Sequence, residues 1–271
     1  MQRLFDVHFP TDRDIQSLKS LWHISFGDDY EYIDAFFEKS FDYQNTLCID
    51  DGEKIVSALY LLECGIRKNG VLHKAYYVYA VATHPDYRGQ GLMRKLLAEA
   101  DLIAESRGAS YIFLVPAEES LYDMYGRLGY MKGFYRGEEL VEKSCDTCEL
   151  ETSPMDYATY SHYHNRFASE DVVFFGEDGF RTFVASSGDD YGYIHIENLG
   201  YCVYGNVDDC VTVYELVGDK DALLNKLFCV CGAYAIRLRS RVSQGGTPCG
   251  MYKAFGDVPR LESAFMGAYG G

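Results

Sequence analysis

Arg88-Gly89-Gln90-Gly91 stands where an apolar run ends and a leucine-rich one begins, within His84–Leu97, HPDYRGQGLMRKLL. A helix starting there offers about four unpaired N–H groups and the positive end of its dipole, which together favour an anion. Glycines let the backbone come close to a phosphate and take angles that a side chain forbids. Arg88 adds a charged fork at the rim. The stretch Arg88 to Met93 therefore reads as a cradle for a pyrophosphate. It has neither the spacing G-x-G-x-x-G of a dinucleotide site nor the Lys-Ser/Thr of a nucleotide P-loop.

The elements that must hold this loop can be read on either side. Arg3–His8 alternates enough for a first strand. Thr11 with Asp14 predicts a capped helix running to about Phe26, and Asp28–Phe41 a second, with Tyr32, Ile33, Phe36 and Phe37 on one face. Asn45–Asp50, the turn Asp51-Gly52 and Lys54–Leu62 predict a hairpin, and Asn69-Gly70 the next turn. Ala75–Thr83 is continuously apolar or aromatic, so a strand buried on both faces is expected. Beyond the loop, Met93, Leu96, Leu97, Ala100 and Ala104 recur at helical spacing. Ser110–Ala117 follows as a strand, then a short helix from Glu119 that ends at Gly129, and YMKGFYR and EELVEK as two more strands.

The order of elements and the motif V-A-T-x-P-x-Y-R-G-x-G-L-M-x-x-L-L, followed by a strand and Y-x-x-x-G-Y, resemble the GNAT superfamily of N-acetyltransferases. The likeness runs over about residues 1–142 and is sharpest at Val81–Leu97 and Leu114–Tyr130. It implies a mixed, mostly antiparallel α/β (α+β) sheet flanked by helices, and acetyl-CoA as co-substrate. The amides of Arg88, Gly89, Gln90, Gly91, Leu92 and Met93 would meet the pyrophosphate, and Val81, Ala82 and Thr83 would pair with the pantetheine arm. Met93 departs from the small residue usual at that position, as in the enhanced-intracellular-survival acetyltransferases. The family's tyrosine acid falls on Tyr125, and Glu118 replaces its asparagine. Glu118, Glu119 and His84 are candidates for a base by location, although an amine can also lose its proton through water. The first two helices overhang the acceptor in this family, which brings Asp28, Asp29, Glu31 and Tyr79 forward as acceptor-binding residues.

The chain has 271 residues, enough for two domains, and 48% of them are hydrophobic. Residues 1–144 are expected to form the catalytic domain, 145–154 a linker, and 155–271 a smaller, degenerate copy. In that half, two helices near 155–167 and 178–186, three strands, a helix capped by Asp219 and later strands repeat the first order without the glycine loop. The formal net charge of −16 disfavours nucleic acid and anionic membranes and favours a cationic acceptor. Nine cysteines, an odd number, suit free thiols in a reducing cytoplasm, and no leader or membrane span is expected. Cys145 and Cys148 have the spacing of half a zinc site, but Cys229 and Cys231 do not complete it, and no metal is expected. His162 and His164 read as surface side chains. An acyl-CoA-binding sensor or scaffold, and a transferase of longer acyl chains, are the alternatives to an N-acetyltransferase.

Overall fold

A computed structural model describes residues 5–143, 149–167, 171–177, 179–181, 191–207, 209–242 and 245–267. The chain divides into two units, and the division is not a single cut near residue 144. The first unit comprises Met1–Gly65, His73–Met131 and Met251–Pro259, and the second Ile66–Leu72, Lys132–Gly250 and Arg260–Gly271.

In the first unit, α1 (Ile15–Phe26) follows a 3-10 turn at Asp12–Asp14. The Asp14 carboxylate accepts the Thr11 amide at 2.8 Å, so the expected start signal is used. Gly27, at φ +78°, ends the helix by donating its N–H to the His23 carbonyl. Helix α2 (Tyr30–Lys39) is capped by Asp29, which accepts from the Tyr32 amide at 2.8 Å. Trp22 joins the two helices, with its ring 4.8 Å from Phe36 and 5.1 Å from Tyr60.

Strands β1 (Thr46–Asp50) and β2 (Ile55–Lys68) are antiparallel, and β3 (Val71–Thr83) returns through Asn69 and Gly70 at φ +52° and +74°. Two successive left-handed residues give a turn whose twist matches that of the flanking strands. Helix α3 (Leu92–Ser106) buries Leu92, Leu96, Leu97, Ala100 and Ala104. Strand β4 (Tyr111–Leu114) then runs parallel to β3, as a crossover helix requires. Helix α4 (Ser120–Arg127) comes next.

The following strand, β5 (Met131–Glu142), lies almost wholly in the second unit. The partner on the open edge of β4 is instead the end of β11 (Thr247–Ala254), with Met251 opposite Leu114 and Ala254 opposite Tyr111.

The second unit repeats this plan. Its helix α5 (Tyr157–Phe167) is followed by the short β6 (Val173–Phe175). Strands β7 (Tyr191–Ile196), β8 (Gly200–Val207) and β9 (Cys210–Gly218) form an antiparallel meander. Helix α6 (Lys220–Cys231) leads to β10 (Ala235–Ser240), parallel to β9, and β5 pairs antiparallel with β10. Leu223, Leu224, Leu227 and Phe228 of α6 pack in its core.

Several expectations need correction. Arg3 lies outside the described residues, and Phe5–Val7 form no strand. Only His8 bridges to Cys48, by N–O contacts of 3.0 and 2.9 Å, and Pro10, two residues on, has no N–H to extend the ladder. YMKGFYR and EELVEK are parts of one strand. Gly137 marks a close approach and not a turn, since a Cβ there would stand 2.4 Å from Val242 Cγ1. Ala75–Thr83 is fully buried only as far as Val78. His164 is buried, not a surface residue, and its Nε2 lies 3.1 Å from the Val173 carbonyl. Burial lowers its pKa to about 4 and holds it neutral. Cys145 and Cys148 fall outside the described residues, as do 182–186 of the expected second helix of that half.

The first unit thus needs a strand from the far end of the chain. A fragment ending at Lys143 loses the edge partner of β4 while keeping every element read as catalytic. Such a fragment should show no cooperative thermal transition and should aggregate, whereas the whole chain melts cooperatively. A fragment with a sharp transition near that of the whole chain would contradict the strand assignment.

Candidate active site

Strands β3 and β4 pair at Ala75–Tyr77 with Tyr111–Phe113 and then part. Ala80, at φ +47°, turns β3 away, an angle seldom taken by a residue with a side chain. The separation opens a cleft of about 520 Å³ in the first unit. Val81, Ala82 and Thr83 line it from β3, Arg88, Gly89, Gly91, Leu92 and Met93 from the loop and the start of α3, and Tyr125 from α4.

The loop is built as an open cradle. His84 starts a 3-10 turn at Pro85–Tyr87, and Arg88 Nε donates to the Thr83 carbonyl at 3.2 Å. The Tyr87 hydroxyl donates to the Asp51 carboxylate, which ties the loop to the β1–β2 turn. Gly89 and Gly91 stand at φ +76° and +77°, with nothing within 4 Å of where a Cβ would be. Both positions need glycine for the backbone angle.

Gly91 is also the cap residue of α3, and no side chain caps its first amides. Helices α2 and α6, by contrast, are capped by Asp29 and Asp219. Arg88, Arg94 and Arg127 line the same cleft, and none of them has a salt-bridge partner among the described residues. Three guanidinium groups without carboxylate partners, in one cleft with an uncapped helix start, favour an anion on a chain of net charge −16.

Tyr125 forms part of the opposite wall. It is 5% exposed, and burial raises its pKa to about 12, so at neutral pH it carries its proton. Its hydroxyl has no hydrogen-bond partner among the described residues. Its ring packs edge-on to Tyr130 at 5.8 Å. A buried phenol with a free proton, facing a cleft, can donate that proton to an anion formed there.

The other predicted residues fall elsewhere. Glu118 and Glu119 are exposed and outside the cleft lining, and Glu118 accepts from the Ser120 hydroxyl at 2.7 Å. Gln90 is exposed and Glu31 lies in the first turn of α2, both outside the lining. His84 accepts the Asp86 amide at 3.3 Å and lies 3.3 Å from Lys54 Nζ, a poor setting for a base.

Asp28 accepts from the Trp22 indole at 2.7 Å, and Asp29 is the cap of α2. Asp34 pairs with Lys19 at 2.6 Å. The Tyr79 hydroxyl meets that of Tyr32 at 2.7 Å, within the aromatic cluster around Trp22. These carboxylates have structural partners in place.

Sequence reasoning missed several lining residues: Ser25 and Phe26 from α1, Leu121 and Met124 from α4, and Arg94 and Arg127. Arg94 had left a sign. A cation in the first turn of a helix opposes the dipole, and its presence points to an anion close by.

Residues 6–133 match the family model described as an acetyltransferase (GNAT) domain. Among solved structures, a GCN5-related N-acetyltransferase from Kribbella flavida is 16% identical, with a TM-score of 0.70 over 93% of this chain and 71% of that one. A GCN5-related N-acetyltransferase from Anabaena variabilis is 14% identical, with a TM-score of 0.73 over 93% and 73%. Eis1 from Mycobacterium abscessus is 14% identical, with a TM-score of 0.66 over 93% and 73%. Identities this low speak for the fold. No curated protein matches the sequence. The mostly antiparallel sheet with its crossover helix is the fold of these acetyltransferases, and residues 6–133 are the part of the chain that matches the GNAT acetyltransferase domain.

Proposed function

We propose that the first unit transfers an acetyl group from acetyl-CoA to a primary amine. One observation carries this reading. A single cleft is lined by an uncapped helix start, by Arg88, Arg94 and Arg127, and by a buried phenol with a free proton, Tyr125.

The residues suit the co-substrate. The amides from Arg88 to Met93 and the three guanidinium groups are matched to a diphosphate, and Val81–Thr83 to an amide-bearing arm. The amine attacks the thioester carbonyl directly. The tetrahedral intermediate collapses, the C–S bond breaks, and Tyr125 gives its proton to the departing thiolate. A thiol has a pKa of about 8.5, while the buried phenol keeps its proton to about 12. The cleft that raises the phenol also disfavours a free thiolate, which narrows this difference where the C–S bond breaks. Most of the acceleration comes from holding amine and thioester together. Water can take the amine's proton, since neither Glu118, Glu119 nor His84 is placed for it.

The acceptor is proposed to be cationic. Asp28, Asp29 and Glu31 stand together at the start of α2 and would draw a cation. The free thiols of the described cysteines suit a cytoplasmic setting. The second unit, whose α6 start is filled by Asp219, is proposed to be a degenerate copy that binds no acetyl-CoA.

Three measurements test this. Purified protein with acetyl-CoA and a panel of polyamines, aminoglycosides and lysine peptides should release CoA, with KM for the amine rising with salt. Tight CoA binding with no transfer to any amine would favour the sensor reading. Gly91→Asp puts a carboxylate at the open start of α3. It should weaken acetyl-CoA binding more than tenfold, about 1.4 kcal/mol, in calorimetry. Unchanged affinity in a folded variant would remove the loop from the site. Tyr125→Phe should lower kcat by about 10²-fold and leave acetyl-CoA affinity unchanged, and full activity would reduce Tyr125 to a packing residue.

A further inference from the structure

The first unit borrows its last strand from residues near the end of the chain, and that strand brings a lysine to the back of Tyr125. Lys253 lies opposite Ile112 in the β4–β11 pair. Its side chain is 18% exposed and pairs with Asp101 of α3, itself 19% exposed. The lysine Nζ stands 4.4 Å from the centre of the Tyr130 ring. Tyr130 in turn packs edge-on against Tyr125 and donates its hydroxyl to Asp101 at 3.5 Å.

The lysine stem runs beside Gly129. This residue has φ +92°, which calls for glycine, and a Cβ there would make an ordinary contact, 3.5 Å, with Lys253 Cε. Tyr130, the next residue, offers its ring to the cation.

Local hydrogen bonds complete the lock. The Tyr125 carbonyl accepts the amides of Leu128 at 2.9 Å and Tyr130 at 3.1 Å, so α4 and the Tyr130 backbone move as one piece. The Tyr130 ring is 3% exposed and cannot slide without leaving the cation or the carboxylate. A desolvated cation over an aromatic face is worth more than one in water. An ion pair that is mostly shielded is also costly to break from one side.

We propose that Lys253 is a positioning residue for the Tyr125 acid. Acting through Asp101 and Tyr130, it fixes the angle at which the phenol meets the cleft, so the chemistry of the first unit depends on a side chain 128 residues downstream of its acid. The inference rests on the reading of Tyr125 as the proton donor. It assigns Lys253 no contact with either substrate.

A double-mutant cycle on the full-length protein tests it, because a positioning role must be lost when the group positioned is lost. Lys253→Met should lower kcat about tenfold with KM for acetyl-CoA unchanged, and Lys253→Arg, which keeps the cation, should restore most of the rate. In a Tyr125→Phe background, Lys253→Met should cost nothing further. Where Lys253→Met does not fold, Asp101→Asn loosens the lysine without removing it, and its effect should likewise vanish in the Tyr125→Phe background.

Wild-type kcat in folded Lys253→Met would overturn the proposal. So would the same tenfold loss with and without the Tyr125 hydroxyl, since that is the mark of general destabilisation. A fully active Tyr125→Phe protein would overturn the reading beneath it and is seen in the single variant, before the cycle is closed.

Discussion

The parting of β3 from β4 is the constraint on which the site depends. Parallel strands joined through a helix pair over Ala75–Tyr77 and Tyr111–Phe113, and beyond that their ladder stops. Two parallel strands that stay paired leave no room for a ligand between them. Once they diverge, the start of α3 looks into the gap from one side and α4 from the other. The left-handed Ala80 is the local cost of the divergence, of order 1–3 kcal/mol for a residue with a side chain. Buried packing in α3 and around Trp22 over-determines the conformation and offsets that cost. The loop glycines, the three arginines and Tyr125 are useful only because this gap exists.

The starts of α2 and α6 are each closed by an aspartate side chain, Asp29 and Asp219, which accepts a first-turn amide. Where α3 begins, no side chain fills the amides, and arginines gather without carboxylate partners. A start left open in this way is less stable alone by about 1 kcal/mol. The contrast between α3 and α6, which occupy matching places in the two repeated sheets, explains why only the first unit is proposed to hold a phosphate.

The sequence was legible where a feature is local. Periodicity placed α3, the turn residues Asp51-Gly52 and Asn69-Gly70 placed the hairpins, and Gly89 and Gly91 placed the left-handed turn before α3. It was misleading where a residue's partner is remote. Gly137 looks like a break until Val242 is seen against it, and His164 looks like a surface residue until Val173 covers it. Asp28 likewise accepts from the Trp22 indole, a partner that its own segment does not show. The membership of β5 and β11 in units opposite to their place along the chain has no signature in either segment. Both read as ordinary final strands, and only pairing partners 93 to 143 residues away decide where they go. Lys253 belongs to the same class.

The central claim is that the open start of α3, and not its counterpart in the second unit, receives the phosphates of CoA. Amide hydrogen exchange on the intact protein, with and without CoA, tests it directly. Bound phosphate oxygens should slow exchange at the amides of Gly89–Met93 and leave those of Lys220–Ala222 unchanged. Unaltered exchange at Gly89–Met93 with CoA bound, or protection confined to the start of α6, would contradict it.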